Sequence, residues 1–86
     1  MTLEWITVRD RATVITYIAM LPEPIRVGWL DSEASDGMAD RVIRWYDTLT
    51  RSWVVYLADA SGQVGDAEYV RTLPDALRAA EMLARP

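Results

Sequence analysis

Two spacings of apolar residues recur along this chain, one typical of helices and one typical of strands. Val14, Ile15, Ile18 and Leu21 fall at i, i+1, i+4 and i+7, which is one face of a helix. The sequence therefore predicts a helix over 10–21, ended by the prolines that follow it. The β-branched residues of the same run favour a strand, and a strand remains the alternative for this segment.

The middle of the chain alternates apolar and polar residues, the pattern of a β-strand. It predicts a strand over 25–30, a hairpin over 41–58 and a fourth strand over 67–71. A turn containing Gly62 separates the last two strands. Helical spacing of apolar residues leaves a helix over 38–49 as the alternative for the start of the hairpin.

The C-terminal segment predicts a helix over 74–84. Thr72 is placed to cap it, and Asp75 follows three residues later as in a capping box. Pro74 suits the first helical turn. The face expected to pack against the sheet contains Leu73, Ala76, Leu77, Ala80, Leu83 and Ala84.

Together these elements predict one α+β domain over 1–86. Its fold is an antiparallel four-stranded sheet with an N-terminal and a C-terminal helix packed on one face. By alternation Trp29, Trp45 and Trp53 share the core face. The opposite face then presents a candidate partner or dimer surface, since arginine and tyrosine are enriched in protein interfaces. Its residues are Arg26, Arg44, Tyr46 and Tyr56.

Composition removes several classes of chemistry. The chain contains no cysteine and no histidine, and its nine basic residues are all arginines. Thiolate, imidazole and lysine Schiff-base catalysis are therefore excluded, and no motif for a metal or an organic cofactor is present. We expect a protein without enzyme activity, and an enzyme is kept only as a third hypothesis, behind an inhibitor and a dimerising module. No signal peptide and no apolar run of membrane-spanning length is visible, so the expected location is the cytoplasm.

An acidic loop over 31–40 is the strongest charge feature. Its members are Asp31, Glu33, Asp36 and Asp40. These four acids account for the formal net charge of −4, because the remaining acids equal the arginines in number. Their spacing does not match an EF-hand, since Gly37 is one position late. The loop is either a solvated connection or a contact surface for a basic protein partner, and direct nucleic-acid binding is disfavoured.

The C-terminal part of the chain resembles small phage proteins in the order of its elements. Trp53–Asp59, Gly62, Glu68–Val70 and Ala76–Ala80 follow one another as strand, glycine turn, strand and alanine-rich helix. With its short length and acidity, the chain is similar in type to anti-CRISPR proteins. That resemblance implies a stoichiometric inhibitor that occupies a basic nucleic-acid-binding site on a protein partner. The alternative is a structural or regulatory module that forms a homodimer through its open sheet face.

Overall fold

The computed structural model describes residues 2–9, 14–28 and 37–85, and these form a β-meander followed by one helix. The elements are β1 (Trp5–Arg9), β2 (Ile15–Val27), β3 (Gly37–Asp47), β4 (Ser52–Asp59), β5 (Gly62–Val70) and α1 (Leu73–Leu83). The five strands form one sheet in the order β1-β2-β3-β4-β5, and every neighbouring pair is antiparallel. β1 and β5 are therefore the two edge strands.

The predicted fold is wrong at the N-terminal end of the chain. The segment expected to form a helix over 10–21 belongs mostly to β2, although residues 10–13 lie outside the described residues. The sheet has five strands instead of four, and α1 is the only helix among the described residues. β2 pairs with β1 on one side and with β3 on the other. Two flanking partners and β-branched side chains favour an extended chain more strongly than the helical spacing of its apolar residues favours a helix.

The β3–β4 hairpin and the C-terminal helix are confirmed. Trp45 pairs with Val54 across the hairpin, which excludes the helical alternative over 38–49. The backbone N–H of Asp75 donates to Thr72 Oγ1 at 3.2 Å, as the predicted cap requires. The last predicted strand begins earlier than expected, at Gly62, and forms β5.

One side of the sheet is covered by α1, and we call it the helix-covered face. Its central row of cross-strand partners is Ala19, Val42, Leu57 and Val64. From α1, Ala76, Ala80 and Ala84 pack in the same core. Of the predicted face, the three alanines are buried, Leu83 is partly buried against the same core, Leu77 is half-buried and Leu73 is exposed.

The pairing of β2 with β3 shifts register between Met20 and Ile25, and we call this irregular stretch the break in β2. Pro22 and Pro24 lie in the break, and neither has an N–H to donate to a neighbouring strand. Beyond the break, Val27 reaches β5 at Gly65. A Cβ atom on Gly65 would lie 2.6 Å from Val27 Cγ1, and the φ of this glycine is +82°. Both observations require glycine at this position.

Candidate functional site

The side of the sheet opposite α1 is an extended apolar surface, which we call the open face. Two rows of cross-strand partners define it. The first row is Ile6, Ile18, Ile43 and Tyr56. The second row crosses all five strands as Val8, Thr16, Trp45, Val54 and Tyr69. A third row beside them consists of Met20, Arg41, Ala58 and Gln63, and its charged member, Arg41, is ion-paired with Asp40.

The two rows that define the open face contain no charged residue. Ile6 is 58% exposed and Tyr69 is 66% exposed, so apolar area reaches solvent on both edge strands. Val54 lies between them and is only 4% exposed, because its neighbours on the face cover it. Patches of this kind on small domains mark contact surfaces, since apolar area gains free energy when it leaves water.

A buried arginine lies on the helix-covered face, among three aromatic rings. Arg44 Cζ is 4.0 Å from the ring centroid of Tyr17, 4.6 Å from that of Trp5 and 5.2 Å from that of Trp53. The centroids of Tyr17 and Trp53 are 6.2 Å apart. This separation is well below the sum of their distances to Cζ, so the two rings flank the guanidinium on adjacent sides and do not sandwich it.

The guanidinium of Arg44 has no ionic partner among the described residues. Arg44 is 8% exposed, and its Nε is the only buried side-chain nitrogen or oxygen in the described part of the chain that lacks a hydrogen bond. Burial lowers the pKa of Arg44, and the Tyr17 phenol partly opposes this effect. The side chain stays charged at neutral pH, because an arginine pKa begins far above 7. The aromatic rings supply cation–π attraction where a carboxylate is missing.

Beside this cluster, a groove of about 550 Å³ opens at the β3–β4 turn. Tyr17 and Trp53, two of the rings that contact Arg44, form part of its wall. Tyr46 packs edge-on against Trp53 with centroids 5.4 Å apart, and Leu49 stands at the rim. The lining of the groove is therefore mainly aromatic and apolar. The buried guanidinium of Arg44 lies against two of the rings that line it, Tyr17 and Trp53.

Of the four acids in the predicted acidic loop, Asp40 belongs to the described part of the chain. Asp31, Glu33 and Asp36 lie outside the described residues. Asp40 belongs to β3, where Arg41 Nε donates to its Oδ1 at 2.8 Å. This hydrogen bond holds the pKa of Asp40 below its ordinary value. The charge of Asp40 is thus partly compensated, and any contact with a basic partner depends on the other three acids.

The predicted Arg/Tyr surface is not one surface. Arg44 pairs with Val55, and Tyr46 pairs with Trp53, so both lie on the helix-covered face. Tyr56 is half-buried on the open face. Arg26 pairs with Met38 near the end of the β2–β3 pairing, beyond the break in β2.

The face assignment of β3 was wrong by one residue. Trp45, expected in the core beside Trp53, lies on the open face instead, and Trp29 lies outside the described residues. A one-residue change of register moves every side chain of a strand to the other side of the sheet.

Sequence reasoning missed the aromatic surroundings of Arg44. Trp5 and Tyr17 belong to β1 and β2, and they approach Arg44 only because these strands pair beside β3. The available signal was an arginine in the middle of a predicted strand, in a chain rich in tryptophan and tyrosine. Whether that arginine faces the core or the open side of the sheet depends on the strand register.

Among the described residues, no three or more acidic, histidine or cysteine side chains are arranged to hold a metal ion. α1 is neither long nor apolar enough to cross a membrane. Comparison with protein-family models, curated proteins and solved structures finds no match to this chain.

Proposed function

We propose that this protein is a non-catalytic interaction module that forms a homodimer through its open face. The observation that carries the proposal is the uncharged double row of apolar and aromatic side chains across the open face. In a two-fold dimer the same patch meets itself, so a charged patch would oppose like charges. The two rows contain no charge, and Arg41 in the row beside them is ion-paired with Asp40. Face-to-face packing of two sheets is a standard way to bury such surfaces.

The size of the face sets the expected strength of the dimer. Five strands make it ~24 Å wide, and three rows of alternate residues make it ~20 Å long, a footprint of ~500 Å². A standard interface buries ~800 Å² on each partner. We therefore expect reversible self-association with a dissociation constant on the order of 10–100 µM.

Charge substitution on the two edge strands tests this proposal. In the double variant Ile6→Lys/Tyr69→Lys, each interface gains four ammonium groups, and burying them without partners opposes association. Both positions are largely exposed within one subunit, so the fold should persist. Sedimentation equilibrium from about 5 µM to about 1 mM should show a dimerisation constant weakened at least ~100-fold.

The control is Leu73→Lys/Met82→Lys, which changes two exposed hydrophobic residues of α1, on the other side of the sheet from the open face. It adds the same charge and should dimerise like the parent. A parent protein that remains monomeric at about 1 mM would refute the homodimer, because an interface of this size should then be populated.

A stoichiometric inhibitor of a basic protein remains the second candidate, of the anti-CRISPR type that the sequence resembles. The observation that favours it is the concentration of the net charge of −4 in the 31–40 stretch. Neutralising Asp31, Glu33 and Asp36 to their amides should abolish inhibition of DNA binding by an RNA-guided nuclease complex at low salt. If parent and neutralised protein inhibit equally, or neither inhibits, the inhibitor proposal fails.

A further inference from the structure

The unpaired charge of Arg44 points to a ligand. A buried guanidinium normally has a carboxylate or phosphate within hydrogen-bond distance, because the loss of its water must be compensated. Arg44 has only ring faces around it, and its Nε–H has no acceptor. Its two terminal nitrogens make no hydrogen bond to a described residue and are not enclosed as Nε is, so they retain contact with solvent. An anion can approach from that side.

The charges around Arg44 select the kind of anion. Glu68 lies in the same cross-strand row, two strands away, with Val55 between them. Asp47 lies on the wall of the neighbouring groove. Arg9 lies on the same face, one row from Arg44, so two acids balance two arginines here. A site without excess positive charge suits a singly charged carboxylate better than a doubly charged phosphate. A carboxylate also matches the planar guanidinium with two parallel hydrogen bonds.

The groove indicates what the carboxylate is attached to. Its volume of about 550 Å³ is within the usual range for small-molecule sites, and its aromatic walls suit a flat apolar body. Tyr17 and Trp53 belong both to the groove and to the surroundings of Arg44. Arg44 itself does not line the groove, so a molecule stacked on these rings would have to reach past their edges for its carboxylate to meet the terminal nitrogens of Arg44.

We propose that Arg44, Tyr17 and Trp53 form a binding site for a small carboxylic acid with an aromatic or apolar body. The acid stacks on the two rings, and its carboxylate accepts hydrogen bonds from Arg44. The rings hold the guanidinium in place before the ligand arrives, which lowers the entropy cost of binding. Arg44, Tyr17 and Trp53 lie on the helix-covered face, although the groove beside them shares Trp45 with the open face, and the site goes beyond the proposed dimer.

Benzoate is the probe, and benzamide is its neutral counterpart with the same ring. In ¹⁵N-labelled protein, the Arg44 Nε–H and the Trp53 indole N–H report directly on the site. Both signals should shift saturably with benzoate, which should bind at least ~10-fold tighter than benzamide, because hydrogen bonds between charged groups are the stronger kind. Phenyl phosphate should bind more weakly than benzoate.

Substitutions test whether Arg44 causes the preference for benzoate over benzamide. Arg44→Met should make benzoate and benzamide bind equally, while Arg44→Lys keeps a charge but loses the planar fork and should reduce the preference several-fold. Arg78→Met is the matched control, because Arg78 lies exposed on α1 and should not affect binding. If Arg44→Met does not fold, the Arg44→Lys comparison carries the test.

Three results would overturn the site. The first is no saturable shift of the Arg44 Nε–H by benzoate, and the second is equal affinity for benzoate and benzamide in the parent. The third is tighter binding of phenyl phosphate than of benzoate, which would refute the carboxylate assignment. Repeating the titration in Ile6→Lys/Tyr69→Lys tests the site apart from the dimer, and benzoate should again bind at least ~10-fold tighter than benzamide.

Discussion

Replacing Arg44 by methionine should make the protein more stable. Methionine has a similar length and no charge, so it fits among Trp5, Tyr17 and Trp53 without a cation to desolvate. Core arginines are usually retained because removing them leaves a carboxylate unpaired. No described carboxylate pairs with Arg44, so that penalty does not arise.

The expected magnitude follows from three contributions. Removing the buried Nε–H that lacks an acceptor gains about 2 kcal/mol. The three cation–π contacts share one cation, and losing them costs about 2 kcal/mol in total. Contacts of the methionine sulfur with the same rings return about 1 kcal/mol. The net result is a stabilisation of about 1 kcal/mol, or a melting temperature higher by about 4–8 °C.

Urea denaturation followed by tryptophan fluorescence and circular dichroism measures this difference. Arg44→Ala is the companion variant and should be less stable than the parent, because it leaves a cavity among the rings. Arg78→Met should change the free energy of unfolding by less than about 0.5 kcal/mol. A loss of more than about 1 kcal/mol in Arg44→Met would show that the guanidinium makes a stabilising polar contact and would refute the reasoning.

Two further predictions concern packing and pH. Gly65→Ala should destabilise the protein by about 2–4 kcal/mol, through its positive φ and its overlap with Val27. Adding Val27→Ala removes the overlap. Urea denaturation should then show that the double variant loses about 1 kcal/mol less stability than the sum of the two single variants. Strict additivity would contradict the contact between the two residues. Burial raises the pKa of Tyr56 above its ordinary value. The neutral phenol therefore contributes to the free energy of unfolding below about pH 10, and this contribution is lost as the pH rises and the phenol ionises. From about pH 9 to about pH 11, Tyr56→Phe should lose less stability than the parent, and equal losses would exclude this effect.

Local signals in the sequence were sufficient for the hairpin and the last helix. The β3–β4 turn begins with Asp47, whose Oδ1 accepts from the N–H of Leu49 at 2.9 Å. Thr72 caps α1 through its own hydroxyl oxygen. Both interactions span two or three residues, so a short stretch of sequence contains everything that is needed to recognise them.

The remaining errors came from contacts distant in the sequence. The spacing of Val14, Ile15, Ile18 and Leu21 suits a helix, and only pairing with β1 and β3 makes this segment a strand. The register of β3 placed Arg44 inside and Trp45 on the open face, against the usual preference of each side chain. The buried position accommodates Arg44 because the rings of Trp5 in β1 and Tyr17 in β2 contact its guanidinium.

The same register determines the candidate surfaces. With Trp45 rather than Arg44 directed outward, the two rows of the open face are apolar and aromatic without a basic residue, which favours a second copy among the partner and dimer contacts expected for this face. Arg44 in turn becomes the centre of a separate site on the helix-covered face. A single-residue difference in strand register thus separates the two functional interpretations.

Contacts between subunits test the homodimer most directly. A sample that mixes ¹³C-methyl-labelled protein with unlabelled protein at about 1 mM permits isotope-filtered NOE measurement of contacts between copies only. The dimer predicts intermolecular NOEs from the methyl groups of Ile6 and Ile43 to the aromatic protons of Trp45 and Tyr69. Intermolecular NOEs that arise only from α1, or none from the open face, would contradict the proposed function.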